Sequence, residues 1–185
     1  MTSPFPTALL PEWTTQPPYS PTPGVPFEPT WHGSCHCQGV HFLVRGQPLD
    51  VKFCHCTDCQ TLQAAPFQWA AIFHKEDVLV TEGVGELEFY ASSSHKQEHE
   101  LPCKVYCRAC HTALFDEGRR MLMLFPTLLD LPRPIPGGWK ARCHIFYGSR
   151  VVDINDGTPK WKGHKDESER IPEGMLGCAG KDLMS

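Results

Sequence analysis

Seven of the ten cysteines in this 185-residue chain stand in three tight groups. They are Cys35-His36-Cys37, then Cys54-His55-Cys56-Thr57-Asp58-Cys59, then Cys107-Arg108-Ala109-Cys110. Zinc takes thiolate ligands in a tetrahedron with Zn–S distances of about 2.3 Å. Two cysteines one or two residues apart supply two corners from a single turn, so two such turns close a four-sulfur site. Seven sulfurs suit one closed site and one open site, in which three protein ligands leave a position for water or substrate. The middle group carries three cysteines and can form the open site alone. Cys35, Cys37, Cys107 and Cys110 would then form the closed one. Counting leaves other partitions standing: His36, His55 or His111 completing a set, a redox disulfide among the groups, or an iron–sulfur cluster, whose spacings C-x-C fits poorly. Of the other cysteines, Cys103 and Cys143 read as buried thiols, and Cys178 has no evident task.

Composition narrows the setting. Hydrophobic residues make up 41% and charged ones 21%, the profile of a folded globular chain rather than a disordered one. With 17 basic against 21 acidic side chains and a net charge of −4, gripping a phosphate backbone is excluded as the main task, and no nucleic-acid partner is expected. The N-terminus lacks a basic region followed by an apolar stretch, so no secretory signal is expected. The apolar run at Met121–Phe125 is far too short to span a bilayer, and no membrane partner is expected either. A cytoplasmic protein follows, with the nucleus as second choice. In such a reducing compartment, close-set cysteines mean metal or redox chemistry rather than structural disulfides.

The elements that must hold these groups are short. Nine of the 18 prolines fall within residues 4–29, and proline fixes φ and removes a donor. Residues 1–30 therefore read as an extended, partly polyproline-like leader, whose Leu9, Leu10, Trp13, Tyr19 and Phe27 offer a means of docking. Residues 31–161 form the domain, and 162–185 a polar tail. Val40–Val44, Phe67–Phe73, Leu87–Tyr90, Lys104–Tyr106, Met121–Phe125 and His144–Tyr147 are strand candidates, cut off by Gly and Pro. One short helix fits near Asp58–Ala65. The expected fold is mainly β with short helices only.

The quoted motifs carry a likeness. Gly33-Ser34-Cys35-His36-Cys37, the Cys54–Cys59 group, and Tyr106-Cys107-Arg108-Ala109-Cys110-His111-Thr112 resemble the glutathione-dependent formaldehyde-activating enzyme family, which includes centromere protein V. A weaker echo lies at Gly157-Thr158-Pro159-Lys160-Trp161. The resemblance implies a tent of small antiparallel sheets stapled by two zinc ions. It places Cys35, Cys37, Cys107 and Cys110 on a structural zinc, and Cys54, Cys56 and Cys59 on a catalytic one. It further implies carbon–sulfur lyase-type chemistry, with S-hydroxymethylglutathione formed from glutathione and formaldehyde, or a related small carbonyl metabolite as substrate. The alternative, suggested by the centromere-related branch, is a zinc-stabilised interaction module without turnover. Two departures touch the substrate walls: the run Gln60–Phe67 lacks the family's glycine, and His111 stands where a glycine is usual. Histidine tolerates the left-handed conformation better than most residues, so that turn can survive. Asp58, His55 and His144 are the candidate proton carriers. Phe67, Trp69, Phe73 and Phe89 read as core before pocket wall.

Overall fold

Short runs of β-branched and aromatic residues, interrupted every few positions by Gly or Pro, can build strands but hardly a helix. A computed structural model describes residues 11–172, and these carry twelve strands, one α-helix and several single 3-10 turns. The strands are β1 (Trp31–Ser34), β2 (His41–Val44), β3 (Asp50–Cys54), β4 (Gln68–His74), β5 (Val78–Glu82), β6 (Leu87–Tyr90), β7 (Cys103–Cys107), β8 (Ala113–Glu117), β9 (Met121–Leu124), β10 (Cys143–Ile145), β11 (Lys160–Trp161) and β12 (Arg170–Ile171). The helix α1 spans Thr57–Gln63. The mainly-β expectation holds. The chain divides into two compact units: one of residues up to Gly46 with Phe73–Leu122 and Leu128–Asp130, the other of Gln47–Ile72, Met123–Thr127 and residues from Leu131 on.

In the first unit β1, β2 and β5 form an antiparallel sheet, with Trp31 opposite Val44 and Leu43 opposite Leu79. Phe42 and Val44 of β2 are buried while His41 and Leu43 are half-buried, the alternation expected of one covered face. A Cβ on Gly33 would lie 2.3 Å from the Phe42 ring, so this position in β1 admits only glycine. Strands β6, β7 and β8 form an antiparallel meander, with Leu87 opposite Cys107 and Cys103 opposite Glu117. Val105, Leu114 and Phe115 are fully buried, and Phe42 meets Phe115 edge-on at 6.5 Å. Burying each such side chain contributes roughly 1.5–3 kcal/mol.

The proline-rich arm is not merely extended. Glu12–Thr15 make a 3-10 turn in which Thr14 Oγ1 donates to the Pro11 carbonyl at 2.7 Å. The Trp13 ring stacks on His99 at 5.1 Å and meets Tyr19 and Phe89 edge-on. The Val80 N–H donates to the Pro18 carbonyl at 2.8 Å, so even a proline segment ties to β5 through its acceptors. Leu9, Leu10 and Cys178 lie outside the described residues.

In the second unit β3 and β4 are antiparallel, whereas β10 runs parallel to β3 (Ile145 opposite Cys54) and parallel to β11 (His144 opposite Lys160). The small antiparallel sheets implied by the resemblance are therefore supplemented by two parallel pairings. Parallel neighbours need long crossovers, and the chain between β3 and β10 supplies one. Beyond Trp161, the segment read as a polar tail adds β12, which pairs antiparallel with β11.

Candidate metal centres

The four-cysteine group is built from two turns of the first unit. In one, the Gln38 N–H donates to the Cys35 carbonyl at 3.1 Å with Gln38 at φ 64°, and the Val40 N–H donates to Cys35 Sγ at 3.3 Å. In the other, the His111 N–H donates to the Cys107 carbonyl at 2.8 Å with His111 at φ 56°, the left-handed conformation anticipated there. Thr112 joins the two turns, accepting from the His36 N–H at 3.2 Å and lying 3.1 Å from Cys110 Sγ. All four sulfurs lie within 4.8 Å of one another, with Cys35–Cys37 at 3.5 Å and Cys37–Cys107 at 3.7 Å. A tetrahedron with metal–sulfur distances of about 2.3 Å has edges of about 3.8 Å, so these residues fit a metal such as zinc. Electrostatics point the same way. The Thr112 hydroxyl brings the Cys110 thiol down to about 5. The Gly39 N–H favours the Cys37 thiolate, but hydrogen bonds with Cys110 and Cys35 and burial hold that thiol up at about 12. A cation is what allows four adjacent thiols to ionise together.

The three-cysteine group belongs to the second unit. Cys54 ends β3, Cys56 caps α1, and Cys59 lies inside the helix. The Cys59 N–H donates to Cys56 Sγ at 3.3 Å, a capping role usually filled by oxygen. The three sulfurs lie within 4.8 Å, with Cys54 and Cys59 at 3.6 Å, again close to a tetrahedral edge. Hydrogen bonding with Cys56 outweighs the opposing bond with Cys59 and, with burial, pushes the Cys54 thiol up to about 11. Gln60 steadies the loop: its Nε2 donates to the carbonyls of His55 at 2.6 Å and Ser149 at 2.8 Å. Gln60, read from the sequence as part of a substrate wall, is thus a clamp on the backbone between Cys54 and Cys56.

The candidate proton carriers separate. His55 and His144 come together, Nε2 to Nδ1 at 2.9 Å, both buried. His144 Nε2 lies 3.0 Å from Asp156 Oδ2, and Lys160 Nζ lies 3.0 Å from Asp156 Oδ1. Burial, reinforced by the neighbouring His144, holds His55 down at about 4, and burial lowers His144 despite Asp156. Hydrogen bonds from His144, Lys160 and Thr158 outweigh the burial that would raise Asp156 and hold its carboxyl well below the ordinary range. Asp58 stands exposed in the first turn of α1. His36 and His111 are exposed and belong to neither cysteine group. Sequence reasoning missed Asp156 and Lys160, although the echo at Gly157–Trp161 marked their neighbourhood.

The family model of the glutathione-dependent formaldehyde-activating enzyme matches residues 30–149, which include every cysteine of both groups with His55 and His144. The chain belongs to the glutathione-dependent formaldehyde-activating enzyme family. Among solved structures, a Rhodobacter sphaeroides protein is similar, with 22% identity over 56% of this chain and 91% of its own and a TM-score of 0.45. No curated protein matches. The family name associates this formaldehyde-activating-enzyme member with glutathione and formaldehyde, and its two cysteine groups can hold metal ions.

A third cluster in this family member joins His99, Cys103 and Glu117, whose ligand-type atoms also lie within 4.8 Å. Here the positive charge is already present: Lys75 pairs with Glu117, while Tyr19 Oη donates to Glu117 Oε2 at 2.5 Å and His99 Nε2 lies 2.9 Å from that oxygen. Burial, then the Glu117 charge, pushes Cys103 up to about 12 and keeps it a thiol. Through Tyr19 and the Trp13–His99 stack the cluster also anchors the arm.

Proposed function

We propose that this family member is a zinc enzyme of the carbon–sulfur lyase type, acting on the adduct of a thiol, glutathione first, with formaldehyde or a related small carbonyl compound. The observation that carries the reading is the three-sulfur group of Cys54, Cys56 and Cys59, which supplies one ligand fewer than a closed tetrahedral site. Cys35, Cys37, Cys107 and Cys110 would hold the structural zinc. Zinc on the three-cysteine group would supply a Lewis acid for a carbonyl oxygen and a soft partner for sulfur.

The chain's own contribution is to position and to keep charge in order. Adduct formation joins the thiol sulfur to the carbonyl carbon, and the proton lost by sulfur ends on the carbonyl oxygen. Gln60 and His55 hold Cys54 and Cys56 at their spacing before substrate arrives. The buried imidazoles of His55 and His144 and the exposed carboxylate of Asp58 are the groups in or beside this loop that can accept and return that proton. A cytoplasmic location, where glutathione is reduced, suits the chemistry.

The test is NMR of glutathione with formaldehyde, with and without the metal-loaded protein. Faster adduct exchange, lost in Cys56→Ser, is expected. No acceleration at several pH values would reject this activity and leave the interaction-module reading. Elemental analysis should find about two zinc ions per chain, and about one in folded Cys56→Ser.

A further inference from the structure

His55 sits between two proposed metal ligands and is held at three of its four hydrogen-bonding groups. Its N–H donates to the Ile145 carbonyl at 2.9 Å, its carbonyl accepts from Gln60, and its Nε2 meets His144 Nδ1 at 2.9 Å. The fourth, Nδ1, is buried without a hydrogen-bond partner. The ring is packed between Phe67, centroids 5.3 Å apart, and Tyr147, edge-on at 4.9 Å, so it has little freedom to turn.

The hydrogen-bond chain fixes where the protons are. Asp156 accepts from Lys160 and from the Thr158 N–H through Oδ1, and a carboxylate has no hydrogen to give. The Asp156 Oδ2 contact therefore requires N–H at His144 Nε2, which leaves His144 Nδ1 an acceptor. The 2.9 Å contact then requires N–H at His55 Nε2, so His55 Nδ1 carries only a lone pair.

We propose that Asp156 and His144 are positioning residues of the three-cysteine centre: they fix His55 as its Nε2–H tautomer and so hold the backbone from Cys54 to Cys56 at the spacing that binds the metal. This rests on the reading that Cys54, Cys56 and Cys59 hold a metal. Outer-shell partners of this kind alter metal affinity by about 10- to 100-fold when removed. Asp156→Asn keeps size and the Oδ1 contacts but places an NH2 against His144 Nε2. The whole chain must then reverse, with N–H moving to Nδ1 on both rings and His55 left with a buried, unpartnered donor.

The experiment is 15N NMR of imidazole-labelled, zinc-loaded full-length protein, paired with chelator titration of the two zinc ions. The zinc kept by Cys56→Ser marks the four-cysteine group. Wild type should show both His55 and His144 as Nε2–H tautomers. Asp156→Asn should show both as Nδ1–H and release one zinc, that of the three-cysteine centre, at about tenfold lower chelator. An Nδ1–H His55 in the wild type overturns the proposal without any variant being folded. So does an Asp156→Asn that switches tautomer yet holds both zinc ions as wild type does, or one that loses zinc with its tautomers unchanged. A wild-type chain that binds one zinc only fails the metal reading itself, and its stoichiometry separates that result from the others.

Discussion

At the scale of single residues, hydroxyls and carboxylates decide how sulfur and aromatic groups behave. Thr112 is the clearest case, since its hydroxyl brings Cys110 down to about 5. Thr112→Val removes that bond, so Cys110 keeps its proton to higher pH and protons compete harder with metal. Zinc affinity should fall, and fall more at pH 6 than at pH 8, as a competition assay with a colorimetric chelator would show. Tyr19→Phe removes the 2.5 Å bond to the buried Glu117. It should lower stability by about 1.5–3 kcal/mol in urea denaturation, the range for hydrogen bonds to charged groups. Glu117 is raised by burial, but the bonds from His99, Lys75 and Tyr19 win and leave it below its ordinary 4.5. A carboxyl depressed in the folded state stabilises above its unfolded value and loses that contribution as pH falls through the folded one. The difference between wild type and Tyr19→Phe should therefore be full at neutral pH and shrink in acid below about 4.5. An unchanged gap at low pH would count against this role for Glu117.

At the scale of elements, turns without glycine shape the cysteine groups, and a glycine supports one of them from behind. Gly83, at φ 77°, precedes a 3-10 turn, and a Cβ there would lie 2.1 Å from the Gly39 carbonyl oxygen. Gly83→Ala meets backbone on one side and left-handed strain on the other, so it should cost more than about 1 kcal/mol. Because Gly39 follows Cys37, the variant should also hold the four-cysteine metal more weakly, measured by zinc content after dialysis against chelator. Strand legibility followed the chemistry of each segment. Leu87–Tyr90 was readable to its ends, and Met121–Leu124 nearly so, because apolar or aromatic residues run between clear turn residues. Ala113–Glu117 was not, because Asp116 and Glu117 look like surface residues. Lys104 and Lys75, distant in sequence, supply the opposite charge that lets them be buried, with Tyr19 and His99 also bonding Glu117. Asp50–Cys54 was hidden similarly by Asp50 and Lys52, which pair with each other at 3.2 Å.

At the scale of the whole molecule, the metals should govern folding. Two compact units, each carrying one cysteine group, draw on many strands of five residues or fewer. Strands so short depend on cross-links, and structural metal binding is folding free energy. Removing zinc with a strong chelator should lower Tm substantially, and Cys110→Ser should unfold or aggregate, whereas Cys56→Ser should stay folded; differential scanning calorimetry separates the cases. The sequence by itself determined the two cysteine groups that can hold metal, the family and the mainly-β class, because a cysteine turn is a local object: its cysteines lie one or two residues apart and need no distant partner to be recognised. Only the tertiary structure decided that Thr112 bridges the two turns, that Gln60 clamps the loop, that Trp13 and Tyr19 seat the arm, and that Asp156 and Lys160 stand behind His55 and His144. Each of those is a contact between side chains and backbone brought together by strand pairing and burial, and a single buried hydrogen bond leaves no periodicity or spacing for a sequence to display.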